Sequence, residues 1–274
     1  MDHQEIPLLS SDRNSRPVVD PQEALGYYAK LLGLEAIRSE RTCLGCFDAA
    51  ILEELVKRTG ARENPGWLYR NRPERQLYTF SLGGGEVSLL CFEFGAASSA
   101  TLMEFLIACG TRRFLFFGAA GALQKDLRIG DLVVGEQAIR EEGVSYHYLS
   151  PSPSIGGSPY VLASLRQACD TLQLPYRQGP TWTTDAIFRE TEEKVRRYQA
   201  QGVLTVEMEA AALYAVAAFR GVEAGCLFYI SDSLADLTWR PGFLEEACRQ
   251  AIDQGCEALL RAARSEEPPA PEPL

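Results

Sequence analysis

The sequence contains no run of about 18 consecutive apolar residues, the length that a membrane-spanning helix requires. It also lacks an excess of basic residues, because 27 Lys and Arg stand against 37 Asp and Glu for a net charge of −10. Such a balance argues against a general nucleic-acid surface or an acidic membrane surface as the partner. The first residues lack the basic and then apolar pattern of a signal peptide. We therefore expect a cytoplasmic protein that binds neither nucleic acid nor membranes.

Metal-binding patterns are also scarce. The chain has only two His residues, and its eight Cys include a single Cys-x-x-Cys motif, Cys43 to Cys46. Without a second pair or a nearby His, that motif is a weak signal for metal or redox chemistry. The other Cys residues are scattered through apolar runs and helices, which is typical of reduced thiols in a cytoplasm. The sequence therefore implies no metal and no organic cofactor.

Length and local composition bound the domain organisation. At 274 residues the chain can form one large domain or two small ones. Residues 1–16 are polar and aperiodic, which predicts a mobile N-terminus. Residues 265–274 are a Pro/Glu tail that cannot form a core. No repeat or clear linker divides the rest, so we expect a single domain over residues 17–264.

Helix signals alternate with apolar runs along that domain. Capping residues predict helix starts, and glycines predict helix ends. The predicted starts are Asp20-Pro21, Asp48, Ser98 and Ser158-Pro159, and the predicted ends are Gly33, Gly60 and Gly110. Further helices are predicted over 190–201 and 242–264, and strands over 87–92, 113–117, 132–134, 181–184, 203–206 and 224–230. This alternation predicts a layered α/β fold around a mainly parallel sheet.

Polar or small residues follow several of the predicted strands. Glu207 and Glu209 follow 203–206, and Asp232 follows 224–230. A parallel sheet brings such strand ends to one edge, where ligands bind. The structural alternatives remain open, because Glu207 and Glu209 also suit a helix start and Asp232 suits a helix cap.

Two carboxylates at one edge suit the departure of a base from a sugar. A carboxylate at the ribose hydroxyls favours the cationic, oxocarbenium-like transition state. A second acid protonates or hydrogen-bonds the leaving base. Glu209 fits the first role and Asp232 fits the second.

Several blocks of sequence resemble the nucleoside phosphorylase superfamily, which includes uridine phosphorylases, purine nucleoside phosphorylases and methylthioadenosine nucleosidases. Residues 206–210 (VEMEA) resemble its ribose-binding signature, and residues 230–232 (ISD) resemble the acid that contacts the purine ring. The other matching blocks are residues 114–124 (FLFFGAAGALQ), 127–134 (LRIGDLVV) and 140–147 (REEGVSYH). The resemblance runs from about residue 89 to 234, roughly half the chain.

The resemblance implies one α/β domain around a mixed, partly barrel-like sheet, assembled as a homo-oligomer, either dimer or hexamer. It implies a small-molecule nucleoside as the partner. The residues that it places on the ribose are Met208, Glu209 and, as support, Glu207. Those that it places around the base are Thr184, Asp185, Phe188, Arg189, Ser231 and Asp232.

The expected phosphate site departs from the family pattern. Phosphorolytic members carry an Arg and a Ser or Thr where this chain has Phe116 and Ala119. An aromatic ring cannot replace a guanidinium group in binding phosphate. The groups left for phosphate, or for a water in its place, are Gly118, Ala119, Ser98 and Arg140.

Three hypotheses follow from the sequence. The first is phosphorolysis of a nucleoside, with inorganic phosphate as co-substrate. The second is hydrolysis, with water in the place of phosphate, and the third is nucleoside binding without catalysis. The base is open, because Asp232 favours a purine while residues 140–147 and 183–189 resemble uridine-cleaving members.

Overall fold

The computed structural model describes residues 8, 9, 12, 13, 15–70, 72 and 75–264. Most of the predicted N-terminal segment 1–16 and all of the predicted tail 265–274 lie outside these residues. In the part of the chain that is described, no helix combines the length and apolar character needed to cross a membrane.

Helix ends largely follow the caps in the sequence. Asp20 and Asp48 accept hydrogen bonds from backbone N–H groups in the first turns of their helices. Gly33 and Gly60 end those helices in the left-handed conformation, which costs glycine little. The eight described helices are α1 (Pro21–Leu32), α2 (Ala49–Thr59), α3 (Ala96–Cys109), α4 (Ser145–Tyr148), α5 (Pro159–Thr171), α6 (Glu192–Ala200), α7 (Ala210–Arg220) and α8 (Glu246–Ala263).

The prediction that Ser98 caps α3 is wrong. The helix begins at Ala96, after Gly95, and Ser98 lies inside its first turn. The Ser98 hydroxyl donates to the Glu93 carboxylate at 2.7 Å instead of capping the backbone. The Ser98 hydroxyl is therefore engaged by the Glu93 side chain and does not cap the helix.

The strands form one mixed sheet, part of which closes on itself. Within the described residues the strands are β1 (Thr42–Cys46), β2 (Arg62–Glu63), β3 (Leu77–Leu82), β4 (Gly85–Cys91), β5 (Arg113–Ala122), β6 (Leu132–Glu141), β7 (Ser154–Gly156), β8 (Tyr176–Thr184), β9 (Thr205–Glu207), β10 (Glu223–Ser233) and β11 (Arg240–Pro241). Pairings run from β5 to β9, β8, β6, β10 and back to β5. The predicted mixed and partly barrel-like α/β fold is confirmed.

Strand β5 is the centre of this sheet. It pairs in parallel with β1 and β10 and antiparallel with β9. Phe114 and Phe116 pack into one core cluster, and Leu115 and Phe117 pack into the other, as strand alternation requires. All four side chains are fully buried. Burial of each contributes about 1.5–3 kcal/mol relative to exposure.

The segment Gly118 to Gly121 continues β5, whereas the sequence suggested that the strand ends before it. Glycine is needed there for space. A Cβ at Gly118 would lie 2.9 Å from the Phe47 ring, and one at Gly121 would lie 2.8 Å from Leu234. The absence of a side chain at Gly118 and Gly121 therefore leaves room for Phe47 and Leu234 to pack against the strand.

Candidate active site

Strand register places the two predicted acidic regions beside each other. Asp232 of β10 is paired with Gly121 of β5, and Gly121 is paired in turn with Val206 of β9. Residues 207–209 follow directly on Val206. Neighbouring strands lie about 4.8 Å apart, so Asp232 and the segment 207–209 lie on either side of β5, as the strand-end argument predicts.

Glu207 is a buried carboxylate, and both of its oxygens accept hydrogen bonds from neighbouring residues. One oxygen accepts from the Thr183 hydroxyl at 2.6 Å, and the other accepts from the N–H groups of Glu209 and Ala210 at 2.7 Å each. Burial raises the pKa of Glu207, and these hydrogen bonds oppose the rise. Because it fixes the turn from β9 into α7, its position fits the supporting role implied by the resemblance.

Glu209 is also buried but has fewer donors. Its Oε1 accepts from the N–H of Gly95 at 2.6 Å, and its Oε2 lies 3.3 Å from the N–H of Met208. Burial, together with the charge of Glu207, raises the pKa of Glu209 to about 8. Met208 between the two acids is half-buried. A cationic ligand beside Glu209 would therefore favour the ionised form of this carboxyl.

Asp232 lies half-buried at the end of β10. Its Oδ1 accepts from the Ser231 hydroxyl at 2.7 Å, and its Oδ2 accepts from the indole N–H of Trp239 at 2.9 Å. The Trp239 side chain is 62% exposed. The carboxylate is thus oriented from two sides and serves as an acceptor in both contacts.

The remaining base-side candidates form the turn after β8. Thr184 is buried, and its hydroxyl accepts from the N–H of Ala186 at 3.2 Å. Asp185 accepts from the N–H of Gly143 at 2.8 Å, and its charge contributes to the raised pKa of Glu209. This turn therefore lies close to Glu209.

Phe188 and Arg189 project from the next turn, a short 3₁₀ segment over Ile187–Arg189. Phe188 is 96% exposed and Arg189 is also exposed. Neither side chain is held in a defined position by the described part of this chain. Their predicted base contacts remain predictions.

Aromatic rings fill the region around Phe116. Phe47 lies 6.0 Å and Phe92 lies 5.2 Å from the Phe116 ring, measured between centroids, and Phe116 is fully buried. Half-buried Ala119 supplies no hydroxyl beside this cluster. The departure noted in the sequence is thus a packed apolar cluster, which we call the aromatic plug (Phe47, Phe92 and Phe116).

Cationic and hydroxyl donors do occur at the start of α3. Arg75 donates to both oxygens of Glu93 at 2.5 Å each, and the Ser98 hydroxyl donates to the same carboxylate at 2.7 Å. These contacts lower the pKa of Glu93, the Ser98 bond most strongly. Any anion that uses Arg75 or Ser98 must therefore displace Glu93.

Arg140 is held by its own loop. Its guanidinium donates to the Ser145 hydroxyl, the Ser152 hydroxyl and the Ser150 carbonyl at 2.8 Å each, and lies over the Tyr146 ring. The side chain is buried by these contacts. The structure thus ties this candidate phosphate ligand into the turn that follows β6.

Three parts of the site had no clear signal in the sequence. The Gly95 N–H reaches Glu209 from 114 positions away. The Trp239 indole N–H donates to Asp232. Glu190, at the start of the helix predicted over 190–201, is half-buried and interacts with the Asp232 charge. The Gly95 and Glu190 interactions join residues far apart in the chain, so only the fold reveals them.

Comparison with known proteins agrees with this geometry. A family model described as the phosphorylase superfamily matches residues 49–264. Guanosine phosphorylase of Halorubrum lacusprofundi is 31% identical over 161 residues, covering 59% of this chain and 67% of that protein. Uridine phosphorylase of Salmonella typhimurium is 27% identical over 233 residues, covering 79% of this chain and 85% of that protein.

Solved structures show the same fold. Uridine phosphorylase from Vibrio fischeri superposes with a TM-score of 0.73 at 19% identity, covering 83% of this chain and 94% of that one. Purine nucleoside phosphorylase from Toxoplasma gondii, in complex with immucillin-H, gives 0.74 at 18% identity, covering 82% and 91%. The resemblance in the sequence is confirmed. Because the family model spans well over half of the chain, this protein belongs to the phosphorylase superfamily, in which the relatives named here are nucleoside phosphorylase enzymes.

Proposed function

We propose that this protein cleaves the N-glycosidic bond of a nucleoside by phosphorolysis, releasing a free base and (deoxy)ribose 1-phosphate. The observation that carries the proposal is the position of Glu209. A buried carboxylate with a raised pKa lies one strand away from the edge that holds Asp232. Buried acids without a cationic partner are rare outside functional sites.

Glu209 suits a sugar that becomes cationic. In the proposed complex its carboxylate and Met208 contact the ribose. Positive charge that develops on the sugar as the C1′–N bond breaks favours the ionised form of Glu209. The Glu209 carboxylate therefore stabilises the transition state more than the ground state, because its charge is matched only when the sugar is cationic.

The base lies on the other side of β5 in this proposal. Asp232 and Ser231 contact its polar edge, and Thr184 and Asp185 border it from the turn after β8. Phe188 and Arg189 close the site over the base. Asp232 favours a purine, whereas residues 140–147 and 183–189 resemble uridine-cleaving members. An experiment must therefore decide which base is cleaved.

Inorganic phosphate is the proposed co-substrate, and no metal or organic cofactor takes part. The amides at the start of α3 offer N–H donors to an anion. Arg75 and Ser98 add charge-assisted hydrogen bonds once Glu93 gives way. The backbone amides of Gly118 and Ala119 are further proposed donors to the phosphate.

Hydrolysis is a second candidate, and one observation favours it. The aromatic plug occupies the place where the family pattern calls for an Arg, and buried apolar rings exclude an anion. Water needs no such ligand. If it attacks C1′ in place of phosphate, the products are free base and ribose.

We also propose a cytoplasmic homo-oligomer, either dimer or hexamer. Large apolar side chains are exposed on this chain, including Tyr27 at 65% and Leu31 at 67% of α1. Exposed apolar patches are typical of protein interfaces. Light scattering after size exclusion measures the state directly.

Chromatography of free base released from a panel of purine and pyrimidine nucleosides tests the proposed activity. Release that requires phosphate supports phosphorolysis, and equal release without phosphate supports hydrolysis. If the nucleosides bind by calorimetry but no base is released, the protein is a non-catalytic binding protein and the proposal is wrong.

A further inference from the structure

The Cys-x-x-Cys motif of the sequence is split between the two faces of the sheet. Cys43 and Cys46 lie three positions apart in β1, so their side chains point to opposite faces. Cys43 packs into the core cluster that contains Phe116, and Cys46 packs into the one that contains Phe117. The motif therefore does not bring its own two thiols together.

The thiol beside Cys46 is that of Cys91, at the end of β4. Strands β1 and β4 run parallel, and their register pairs Cys46 directly with Cys91. Both side chains lie on the same face of the sheet, because Cys91 packs against the cluster that contains Cys46. Both are free thiols, and they are hydrogen-bonded to each other. The fold thus makes a neighbouring pair of thiols from cysteines that are far apart in the chain.

The two thiols differ in their access to solvent. Cys46 is fully buried, whereas Cys91 is half-buried. The hydrogen bond with Cys46 lowers the pKa of Cys91, while burial and the charge of Asp48 oppose this change. The same hydrogen bond and burial raise the pKa of Cys46. Thiol–disulfide exchange begins with the more accessible thiolate, so Cys91 suits the attacking role and Cys46 the resolving role.

We propose that Cys46 and Cys91 form a reversible disulfide by exchange with a low-molecular-weight disulfide. The Cys91 thiolate attacks one sulfur of that molecule, forms a mixed disulfide and releases one thiolate. The Cys46 thiolate then attacks the Cys91 sulfur, which forms the Cys46–Cys91 bond and releases the second thiolate. The protons lost by the two cysteines convert the released thiolates into thiols. The small disulfide is thus reduced by two electrons, and the protein is oxidised by two.

The spacing of the strands favours a bond that opens again. Neighbouring strands lie about 4.8 Å apart, whereas a disulfide joins Cβ atoms about 3.8 Å apart. Closing the bond therefore draws the ends of β1 and β4 together. A disulfide that forms against such resistance is readily reduced by thiols, as a reversible modification requires.

The pair also adjoins the proposed anion site. The residues that directly follow the two cysteines are Phe47 and Phe92 of the aromatic plug, whose ring centroids lie 5.9 Å apart. The Phe92 N–H donates to the Cys46 carbonyl at 2.7 Å, and Glu93 comes next in the chain. A bond between β1 and β4 should restrain Glu93, which must give way to phosphate.

Oxidation should therefore raise the KM for phosphate by about 10-fold, a typical coupling between two sites. This effect, unlike the disulfide itself, rests on the proposed phosphorolysis. The two parts are measured separately, the disulfide by mass and its effect by kinetics of the oxidised and the reduced protein.

Exchange with oxidised glutathione tests the modification in the full chain. The protein is equilibrated with mixtures of reduced and oxidised glutathione, quenched with N-ethylmaleimide in denaturant, and analysed by intact mass and by peptide mapping without reduction. Wild type should lose two hydrogen atoms and give a linked peptide of Cys46 and Cys91, and dithiothreitol should reverse both changes. Cys46→Ala should stop at a glutathione adduct on Cys91, and Cys91→Ser should form neither product.

Cys109→Ala is the matched control. Cys109 is also half-buried, but only burial shifts its pKa, which rises to about 12. This variant should form the disulfide as wild type does. Circular dichroism shows whether each variant folds. If Cys46→Ala, which changes a buried side chain, does not fold, the half-buried Cys91→Ser still tests the pair.

Two results overturn the disulfide, and one overturns its effect. The disulfide is contradicted if no linked peptide forms at the highest fraction of oxidised glutathione, or if Cys46 is linked to another cysteine such as Cys256. An unchanged phosphate KM in the oxidised wild type contradicts the effect on the anion site. If the wild type releases no base, or releases it without phosphate, the proposed phosphorolysis fails, while the mass measurement still decides whether the disulfide forms.

Discussion

The backbone N–H of Gly95 donates to the Glu209 carboxylate at 2.6 Å and joins the start of α3 to the start of α7. Gly95 has a φ of +94°, which L side chains rarely adopt. This conformation aims the N–H at Glu209. A glycine that looks like a simple helix boundary in the sequence therefore positions the central carboxylate of the site.

Gly95→Ala tests that contact. The added Cβ meets no atom within 4 Å, so the cost comes from the positive φ, about 1–3 kcal/mol. Gly84→Ala is a matched control, because Gly84 has a φ of +92° and equally open surroundings in the β3–β4 turn. Both variants should lose similar stability in denaturant unfolding. Only Gly95→Ala should also lose turnover, and equal turnover in the two would contradict the role of Gly95.

Glu209→Gln tests the ribose-side carboxylate. The amide keeps the shape and the oxygen that accepts from Gly95, but it cannot become charged. We expect kcat to fall about 100- to 1,000-fold, because charge stabilisation of the transition state is lost. Steady-state kinetics with the exposed control Glu193→Gln measures this. A kcat within a few-fold of wild type would refute the assignment.

The same variant should alter the pH dependence of stability. The pKa of Glu209 is raised from 4.5 to about 8 by burial. Its contribution to folding is thus fully present below about pH 4.5 and is lost as the pH rises through about 8. Glu209→Gln remains neutral, so at pH 8 to 9 it should unfold with a free energy higher than wild type, on the order of a few kcal/mol. Equal stability across the whole pH range in urea titrations would show that Glu209 is not perturbed.

Trp239→Phe tests the orientation of Asp232. Phenylalanine keeps an aromatic ring and removes the N–H that donates at 2.9 Å. Because Trp239 is largely exposed, we expect only a 3- to 10-fold decrease in kcat/KM for purine nucleosides, roughly 1 kcal/mol. The loss should vanish in an Asp232→Ala background, as a double-mutant cycle requires for a contact between these two residues. An additive loss would mean that Trp239 acts elsewhere.

Glu93→Gln tests the proposed anion site. Glu93 holds both Arg75 and Ser98 and opposes an incoming anion by its charge. Neutralising it should free these donors and lower the KM for phosphate by about 3- to 10-fold, equivalent to roughly 1 kcal/mol. Glu86→Gln on the exposed part of β4 is the control. A phosphate KM that rises or stays constant would place phosphate elsewhere.

Local patterns predicted the strands and their polar ends well. Apolar β-rich runs ending at Glu207 and Asp232 are visible in sequence because burial and alternation are local properties. The segment Gly118 to Gly121 was misjudged because glycine is typical of loops. In the fold, hydrogen bonds from β9 and β10 extend the strand, and Phe47 and Leu234 occupy the space left by the missing side chains.

Contacts between distant segments were not predictable in the same way. The Gly95 amide and the Glu190 carboxyl both lie on connections next to helices, and each interacts with an acid far away in the chain. The sequence predicts a helix that begins at Glu190, but it contains no information on where that helix packs. The aromatic plug shows the same limit, since Phe47 directly after β1, Phe92 directly after β4 and Phe116 in β5 meet only in the folded sheet.

The central claim is that phosphate attacks the sugar while Glu209 stabilises it. Phosphorus NMR of wild-type protein with inorganic phosphate and a cleaved nucleoside measures this directly. The account predicts a new sugar 1-phosphate resonance that grows in step with the free base and is nearly absent with Glu209→Gln. Free base released without any phosphate ester would contradict phosphorolysis and show that water has replaced phosphate beside the aromatic plug.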